Sequence, residues 1–139
     1  MQRFTSRTQL MDYLGAVQRN VVWSWCAVNE EERKVYFSLW ADMRAKRDGI
    51  RFSYIVQEPD WGVDPKSGSK SAARKDHDEK LLMALERGYE AYGYVVEAVD
   101  RNASPRKIES TATSFVFQLD LERHSDGTVL GYVTTRINI

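Results

Sequence analysis

The sequence predicts an α+β domain in which a strongly bent or closed β-sheet packs with two helices. Two stretches, 20–42 and 114–138, are rich in aromatic and β-branched residues that alternate every two positions, as in antiparallel hairpins. Two other stretches carry apolar residues at helical spacing, and they stand apart from the strands without a regular βαβ rhythm. At 139 residues the chain is predicted to form one domain, 1–139, with its own core.

Two helices are predicted, over Thr5–Gln18 and over Lys75–Gly88. Thr5 or Ser6 is placed to cap the first helix, and Gly88 is placed to end the second. Apolar residues recur at helical spacing in both segments, namely Leu10, Leu14 and Val17 in the first and Leu81, Leu85 and Tyr89 in the second.

About six strands are predicted from alternation and β-propensity. They cover Val21–Val28, Lys34–Asp42, Ile50–Gln57, Tyr92–Asp100, Ser114–Glu122 and Thr128–Asn138. Asn29–Arg33 is the polar connection of the first hairpin, and Gly127 supplies a positive φ in the turn of the last one. In the second strand, alternation separates two faces: Val35, Phe37 and Leu39 on one, Tyr36, Ser38 and Trp40 on the other.

Residues 58–72 are predicted to form a long loop, because two prolines and two glycines interrupt any periodic pattern there. The loop carries Trp61. Loops of this length inside a compact domain are uncommon and are often functional. A shorter turn is predicted at 101–107, which contains Pro105.

Composition limits the class of protein. A hydrophobic content of 42% with 29% charged residues is typical of a globular domain, and a net charge of zero argues against reliance on non-specific phosphate attraction. No apolar run is long enough to span a membrane, and the N-terminal segment lacks the apolar core of a signal peptide. Cys26 is the single cysteine, so no internal disulfide is possible and a cytoplasmic location is expected.

The sequence offers no recognisable catalytic set, and neither a metal nor a cofactor is expected. His77 and His124 lie far apart, and no histidine or cysteine spacing suits a metal. Cys26 lies in a predicted strand, where a thiol is typically buried and unreactive. One nuclease-like grouping of acids and lysines falls in the long loop rather than on paired strands, so we expect no cleavage from it; its members are Asp60, Asp64, Lys66 and Lys70.

The aromatic residues of the first hairpin predict a surface for a flat ring such as a nucleobase. Trp23 and Trp25 are two residues apart, so in a strand they share a face. The candidate base-binding residues, which supply rings for stacking and oxygens for the base edge, are Trp23, Ser24, Trp25, Tyr36, Ser38, Trp40 and Asp42. A tryptophan-rich core without a ligand is the alternative, and the sequence does not decide which face of the hairpin lines a pocket.

Two basic clusters are candidates for contact with phosphate. Lys66–Lys75 carries four cations and no acid, and Arg44–Arg51 carries four cations with one acid. The alternative is a solvated charged face. The predicted phosphate-binding residues are Lys66, Lys70, Arg74, Lys75, Arg106 and Lys107.

The residue pattern also resembles a known family. Its elements are Asn20 with Trp23-Ser24-Trp25, Phe37 with Trp40 and Asp42, Gly93-Tyr94, and Pro105-Arg106-Lys107-Ile108 ahead of the closing hairpin. This pattern, which covers roughly residues 5–139, resembles the region that precedes the HNH nuclease domain in some bacterial modification-dependent restriction endonucleases. Such regions are similar to the EVE and SRA domains of the PUA superfamily.

The resemblance implies a small curved β-barrel with flanking helices. It also implies a pocket that receives a flipped-out base, such as 5-methylcytosine or 5-hydroxymethylcytosine, from double-stranded DNA. Cys26 stands where the family pattern leads us to expect glycine, and no HNH domain is present before Ile139. We therefore expect a reader without nuclease activity, either separated from its nuclease domain or acting alone.

Two other function classes stay open. A PUA-like domain that binds RNA or a small ligand is one, because stacking does not depend on the sugar. A partner-binding specificity subunit is the other. The zero net charge favours these two classes, whereas the tryptophans and the basic clusters favour a DNA reader.

Overall fold

The structure, a computed structural model, describes residues 4–21, 23–48, 51–103 and 106–139. The helices in these ranges are α1 (Arg7–Leu14) and α2 (Ala72–Glu86), and a short 3-10 turn covers Ala41–Met43. The strands are β1 (Cys26–Asn29), β2 (Lys34–Trp40), β3 (Arg44–Asp48), β4 (Arg51–Gln57), β5 (Glu90–Ala98), β6 (Ile108–Thr111), β7 (Phe115–Arg123) and β8 (Val129–Asn138).

These eight strands form one mixed sheet with the order β1-β2-β5-β7-β8-β4-β3, and β6 pairs with β5 outside this path. The pair β2–β5 is parallel and the other pairs are antiparallel. Although three strands separate β2 from β4 in this order, Cα atoms of the two strands approach within 8 Å. The sheet is therefore open at β1 and β3 but curls strongly, and the predicted α+β class is confirmed.

The concave face of the sheet is packed with side chains, and α2 lies across it. Phe37 of β2, Tyr54 of β4 and Phe117 of β7 belong to one buried cluster with Leu81 of α2. These residues come from distant parts of the chain, so the cluster fixes the curl of the sheet. Burial of such large apolar surfaces is the main stabilising contribution to a fold of this size.

Two glycines leave room for large side chains from the neighbouring strands. A Cβ atom at Gly93 would collide with Leu39, and one at Gly131 would lie 3.0 Å from Val56 and 3.1 Å from Leu119. The interior between these strands is already filled to van der Waals contact. No ligand therefore fits directly over these two glycines.

Helix α1 covers the opposite face of β2 and β5. Leu10 and Met11 pack there with Tyr36, Tyr92 and Tyr94, and the rings of Tyr36 and Tyr92 stack with their centroids 5.2 Å apart. Strand β2 is thus buried on both sides. The predicted division of its side chains into two faces is confirmed.

The helix boundaries differ from those predicted. Helix α1 ends at Leu14 rather than Gln18, because Gly15 takes a φ of 65° and its N–H donates to the carbonyl of Asp12. Helix α2 starts three residues earlier than predicted, since the Ser71 side chain accepts a hydrogen bond from the backbone N–H of Arg74 and caps the helix.

The prediction that Trp23 and Trp25 share one strand is wrong. Strand β1 begins at Cys26, and the segment before it forms a turn in which the N–H of Ser24 donates to the carbonyl of Asn20 at 2.9 Å. Side chains in a turn do not alternate every two residues, so the rings of Trp23 and Trp25 are not constrained to point to the same side.

Two strands were not predicted from the sequence. Strand β3 forms from the basic cluster Arg44–Arg51, and β6 forms after the turn at 101–107. Neither strand has an apolar alternation to reveal it. Ile50 and Pro105, which belong to a predicted strand and a predicted turn, lie outside the described residues.

Candidate functional site

The structure divides the predicted base-binding residues between two places. Trp25 lies with Trp61 and His77 beside the start of α2, and we call this group the tryptophan notch. Trp40 and Asp42 lie at the end of β2 with Arg106, and we call this group the Trp40 cluster. These two groups share no described contact, and the single pocket stays a prediction.

The tryptophan notch is an edge-to-face pair of partly exposed indole rings. The ring centroids of Trp25 and Trp61 are 6.5 Å apart with planes at 90°. Trp25 also lies edge-on to His77 at 5.3 Å, and His77 lies edge-on to the buried Phe37 at 5.4 Å. The notch is therefore anchored on the core by His77, while parts of both indoles face solvent.

His77 is an uncharged part of this foundation. Its Nδ1 lies 2.6 Å from Oε1 of Gln57, and Nε2 of Gln57 donates to Asp78 at 3.2 Å. This arrangement makes the Gln57 oxygen the acceptor, so Nδ1 of His77 carries the proton. Burial lowers the pKa of His77 from 6.5 to about 4, and the charge of Asp78 offsets only part of that shift.

Loop 58–71, which carries Trp61, is held by a buried guanidinium. Arg74 donates from Nη1 to the carbonyls of Trp61 at 2.8 Å and Pro59 at 3.0 Å, with a longer contact to Glu58 at 3.4 Å. Its Nε donates to Asp78 at 2.9 Å. The loop is therefore an ordered part of the fold around the notch.

Asp78 ties the two ends of loop 58–71 together. It accepts hydrogen bonds from Gln57 before the loop, from Lys70 near its end, and from Arg74 on α2. Burial opposes ionisation of this carboxyl, but the hydrogen bonds from Lys70 and Arg74 hold its pKa below 3.8. The charged form of Asp78 thus stabilises the loop at neutral pH.

The Trp40 cluster is closed by an ion pair. Arg106 donates from Nη1 and Nη2 to the two carboxylate oxygens of Asp42 at 2.7 and 2.8 Å, and its guanidinium lies 5.2 Å from the Trp40 ring centroid. The two charged side chains are only 14% and 18% exposed. The hydrogen bonds from Arg106 lower the pKa of Asp42, so this pair is fully charged at neutral pH.

Three of the predicted base-binding residues take part in internal contacts. The Ser24 hydroxyl accepts from the N–H of Asn20 at 2.9 Å, and the Ser38 hydroxyl donates to the carbonyl of Trp25 at 2.9 Å. Tyr36 is buried under α1, and burial raises its pKa to about 12. These groups support the fold around the rings. Trp23 lies partly exposed in the turn before β1.

The predicted phosphate-binding residues also divide into two kinds. Lys66, Lys75 and Lys107 are exposed, whereas Lys70 is bonded to Asp78. Arg74 and Arg106 form the ion pairs described above, so three of the six cations already face a carboxylate. Lys66 lies exposed on the loop that carries Trp61, and Lys75 lies exposed on α2, which follows that loop.

The buried cysteine lies next to a second buried acid on α2. Sγ of Cys26 is 3.8 Å from Asp76, whose carboxylate also accepts from Lys80 at 3.0 Å. Burial raises the pKa of the Cys26 thiol, and the charge of Asp76 adds to that effect. The thiol is thus protonated and shielded, which does not suit a nucleophile.

The described cavities do not coincide with the predicted pocket. One cleft of about 330 Å³ lies between α2 and β7 beside Leu85 and Leu119, and one of about 450 Å³ lies beside Val17 and Lys80. None of the predicted base-binding residues lines either cleft. Among the residues with described positions, no group of three or more histidine, cysteine or acidic residues is arranged to hold a metal ion.

The notch contains residues that the sequence reasoning did not assign to a site. Trp61 was placed in a functional loop but not among the base-binding residues, and Gln57, His77 and Asp78 were not considered for it. One contact of this region has a local signal in the sequence. Arg74 and Asp78 are four residues apart, and residues at this spacing on a helix lie side by side.

Comparisons of the chain with protein families, with curated proteins and with solved structures found no match. Within the described ranges, neither helix is long and apolar enough to cross a membrane.

Proposed function

We propose that this chain binds nucleic acid and holds an unstacked base against the tryptophan notch. The observation that carries the proposal is the pair of partly exposed, perpendicular indoles of Trp25 and Trp61 beside an ordered loop. Indole faces are effective stacking surfaces for bases, at about 1–3 kcal/mol per base.

The proposal also requires attraction for phosphate, and its candidates are two exposed lysines on the loop of Trp61 and on the helix that follows it. Lys66 lies exposed on loop 58–71 and Lys75 lies exposed on the first turn of α2. Phosphate contacts position a nucleic acid without reading its sequence, whereas the base-facing groups select the base. Positive charge placed near stacking rings is therefore the arrangement that such a reader needs, even though the net charge is zero.

The Trp40 cluster supports this function less well. A base approaching Trp40 would have to displace Arg106 from both its ring contact and its bidentate bond to Asp42. Charge-assisted bidentate pairs are among the stronger polar contacts in proteins. We therefore place the base at Trp25 and Trp61.

The specific form of the proposal is a PUA-like reader of a modified base, such as 5-methylcytosine, that has been flipped out of double-stranded DNA. The curled sheet is compatible with that architecture, and the residue pattern described above favours it. Extrusion costs a few kcal/mol, which stacking in the notch is suited to offset. The perpendicular arrangement would contact one base by its face and by its edge.

The proposal includes binding without cleavage. Asp64 of the nuclease-like grouping accepts hydrogen bonds from the backbone N–H groups of Lys66 and Ser67, at 2.8 and 3.4 Å, and shapes the loop. Lys70 of the same grouping is bonded to Asp78 at 2.9 Å. Both groups thus have bonding partners within the loop and α2.

A tryptophan fluorescence titration tests the proposal. The chain is titrated with a duplex that contains 5-methylcytosine, with the unmodified duplex, and with RNA of the same sequence. We expect quenching of tryptophan emission and the tightest binding with the modified duplex. Equal affinity for all three would contradict the modified-base reading, and the absence of binding to any of them would contradict the function itself.

A DNA cleavage assay tests the second part of the proposal, with the same modified duplex in the presence and absence of Mg²⁺. We expect intact DNA in both cases. The matched control is a variant with Asp60, Asp64, Lys66 and Lys70 all changed to alanine. If the wild type cuts the duplex and this variant does not, then loop 58–71 is an active site and the reader proposal is incomplete.

A further inference from the structure

The sequence grouped Arg74 with the cations expected to touch phosphate, but its environment is of another kind. Only 7% of the residue is exposed, and its guanidinium is directed into loop 58–71 rather than toward solvent. Lys75, the next residue, is exposed on the same helix. The two neighbours therefore have different surroundings although they are alike in charge.

Arg74 gathers the backbone that leads into Trp61. Nη1 lies within 3.4 Å of three carbonyl oxygens, those of Glu58, Pro59 and Trp61, in a stretch of four residues. Converging carbonyls need a common donor, because buried carbonyl oxygens without a partner are costly. One guanidinium thus fixes the path of the chain at the residue that carries the second indole.

Arg74 also packs close to the indole of Trp25. Gly62 follows Trp61 with a φ of 66°, and a Cβ atom there would lie 2.8 Å from Cβ of Arg74 and 3.0 Å from Cη2 of Trp25. The backbone of the loop therefore touches both residues at one point. Arg74, the loop and the two indoles form a single packed unit.

Asp78 sets the direction of the guanidinium. Asp78 accepts a hydrogen bond from Nε of Arg74 at 2.9 Å. The Nη1 atom at the other end of the guanidinium then points at the carbonyls of loop 58–71. Lysine carries the same charge but has a single ammonium group without this fixed fork. It cannot bond Asp78 and the loop carbonyls with the same geometry, so a lysine at this position would preserve the charge and lose the orientation.

We infer that Arg74 is a positioning residue, which sets the angle between Trp61 and Trp25 by bonding the loop carbonyls, and that it does not bind phosphate. The inference has two parts. The effect of Arg74 on ligand binding rests on the proposed function. The control of the position of Trp61 by Arg74 does not. The two parts predict different measurements, so each can fail without the other.

The first measurement needs no ligand. Acrylamide quenching of Trp61 is obtained as the difference between a protein and its Trp61→Phe counterpart, at a temperature well below the melting transition. We expect Arg74→Lys to increase the quenching of Trp61, because a loosened loop exposes the indole. Lys75→Ser, the matched control, is expected to leave it unchanged. Unaltered quenching in Arg74→Lys overturns the inference.

The second measurement compares affinity for the modified duplex over a range of salt concentrations. Arg74→Lys should weaken binding by about tenfold at every salt concentration without changing the salt slope. Lys75→Ser should lower the magnitude of that slope by about 0.9, as for one lost phosphate contact. A reduced slope in an Arg74→Gln variant, which removes the charge, would overturn the inference by showing that Arg74 touches phosphate.

Two outcomes separate this inference from the proposed function. If the wild type binds no nucleic acid while Arg74→Lys still increases Trp61 quenching, the positioning role stands and the proposed function fails. If Arg74→Lys does not fold, Asp78→Asn provides the second variant, since it keeps the guanidinium but removes its Nε partner. Increased Trp61 quenching in that variant supports the inference, and unchanged quenching overturns it.

Discussion

The tryptophan notch and the Trp40 cluster combine the same residue types, an indole and an arginine–aspartate pair, in different arrangements. At Trp40, which is partly exposed like Trp61, the guanidinium lies over the ring and is bonded to Asp42. At Trp61 the guanidinium of Arg74 bonds the backbone below the ring and leaves the indole partly exposed. The direction of the arginine, rather than the presence of these residue types, therefore separates a structural cluster from a candidate binding surface.

The largest expected effect separates the two regions by stability. Trp40→Ala should lower the free energy of unfolding by about 3 kcal/mol, because the ring packs against the α1 cluster and supports Arg106. Urea denaturation measures this change, and DNA affinity measured on the folded variant should stay close to that of the wild type. A loss of affinity larger than the loss of stability would place the base at Trp40 instead.

The two regions should also lose stability in different pH ranges. His77 has a pKa of about 4 in the folded state against 6.5 when unfolded, so below pH 6.5 the unfolded chain takes up a proton that the folded chain does not. The stability from neutral His77 is complete above pH 6.5 and falls by about 3 kcal/mol as the pH drops toward 4. Asp42, whose pKa is lowered from 3.8, contributes stability that is lost only below that value.

Urea titrations at a series of pH values check this separation. His77→Gln should flatten the dependence between pH 6.5 and 4, whereas Asp42→Asn should leave that range unchanged. The matched control is His124→Gln, at the partly exposed histidine beside Glu122. If His124→Gln flattens the pH dependence of the free energy of unfolding and His77→Gln does not, then His77 is not the group that causes this dependence.

The third effect is on affinity. Trp61→Ala should weaken binding of the modified duplex by about 1–3 kcal/mol, the contribution of one stacked base. The loss of stability should be smaller than for Trp40→Ala, since Trp61 lies on a loop and is partly exposed. Fluorescence titration and urea denaturation of the same two variants give the comparison. Equal losses of stability without a loss of affinity would mean that the notch is only core.

The smallest effect concerns the exposed lysine of the loop. Lys66→Ser should reduce the magnitude of the salt slope by about 0.9 and weaken binding to all sequences alike, because a phosphate contact carries no base information. Arg106→Gln, which removes a cation that is bonded to Asp42, should leave the slope unchanged. An unchanged slope in Lys66→Ser would remove loop 58–71 from the phosphate-binding surface.

The sequence predicted those elements that follow from local periodicity. The two faces of β2 follow from alternation, and α2 follows from the spacing of Leu81 and Leu85, because each pattern reflects the geometry of one element. Helix ends were less accurate, since Gly15 and Ser71 set them through individual backbone hydrogen bonds. The strands β3 and β6 lack the apolar alternation that would have revealed them.

The candidate site was less predictable because its contacts join distant parts of the chain. Asp42 and Arg106 are 64 residues apart, and nothing local indicates that a predicted base ligand and a predicted phosphate ligand bind each other. Trp25 and Trp61 meet only because loop 58–71 returns to α2. The pair of Arg74 and Asp78 is local, one helical turn apart, but the helix was predicted to start at Lys75 and so did not include Arg74.

The parallel pairing of β2 with β5 bears on how the chain reaches this state during synthesis. Lys34 pairs with Glu90, so the strand that completes the centre of the sheet is made long after the β1–β2 hairpin has left the ribosome. Until then the edge of β2 that pairs with β5 has no partner strand. Strand pairings between residues far apart in the sequence slow folding and prolong the exposure of aggregation-prone strand edges. Nascent chains that end before β5 should therefore be the ones that most need a chaperone.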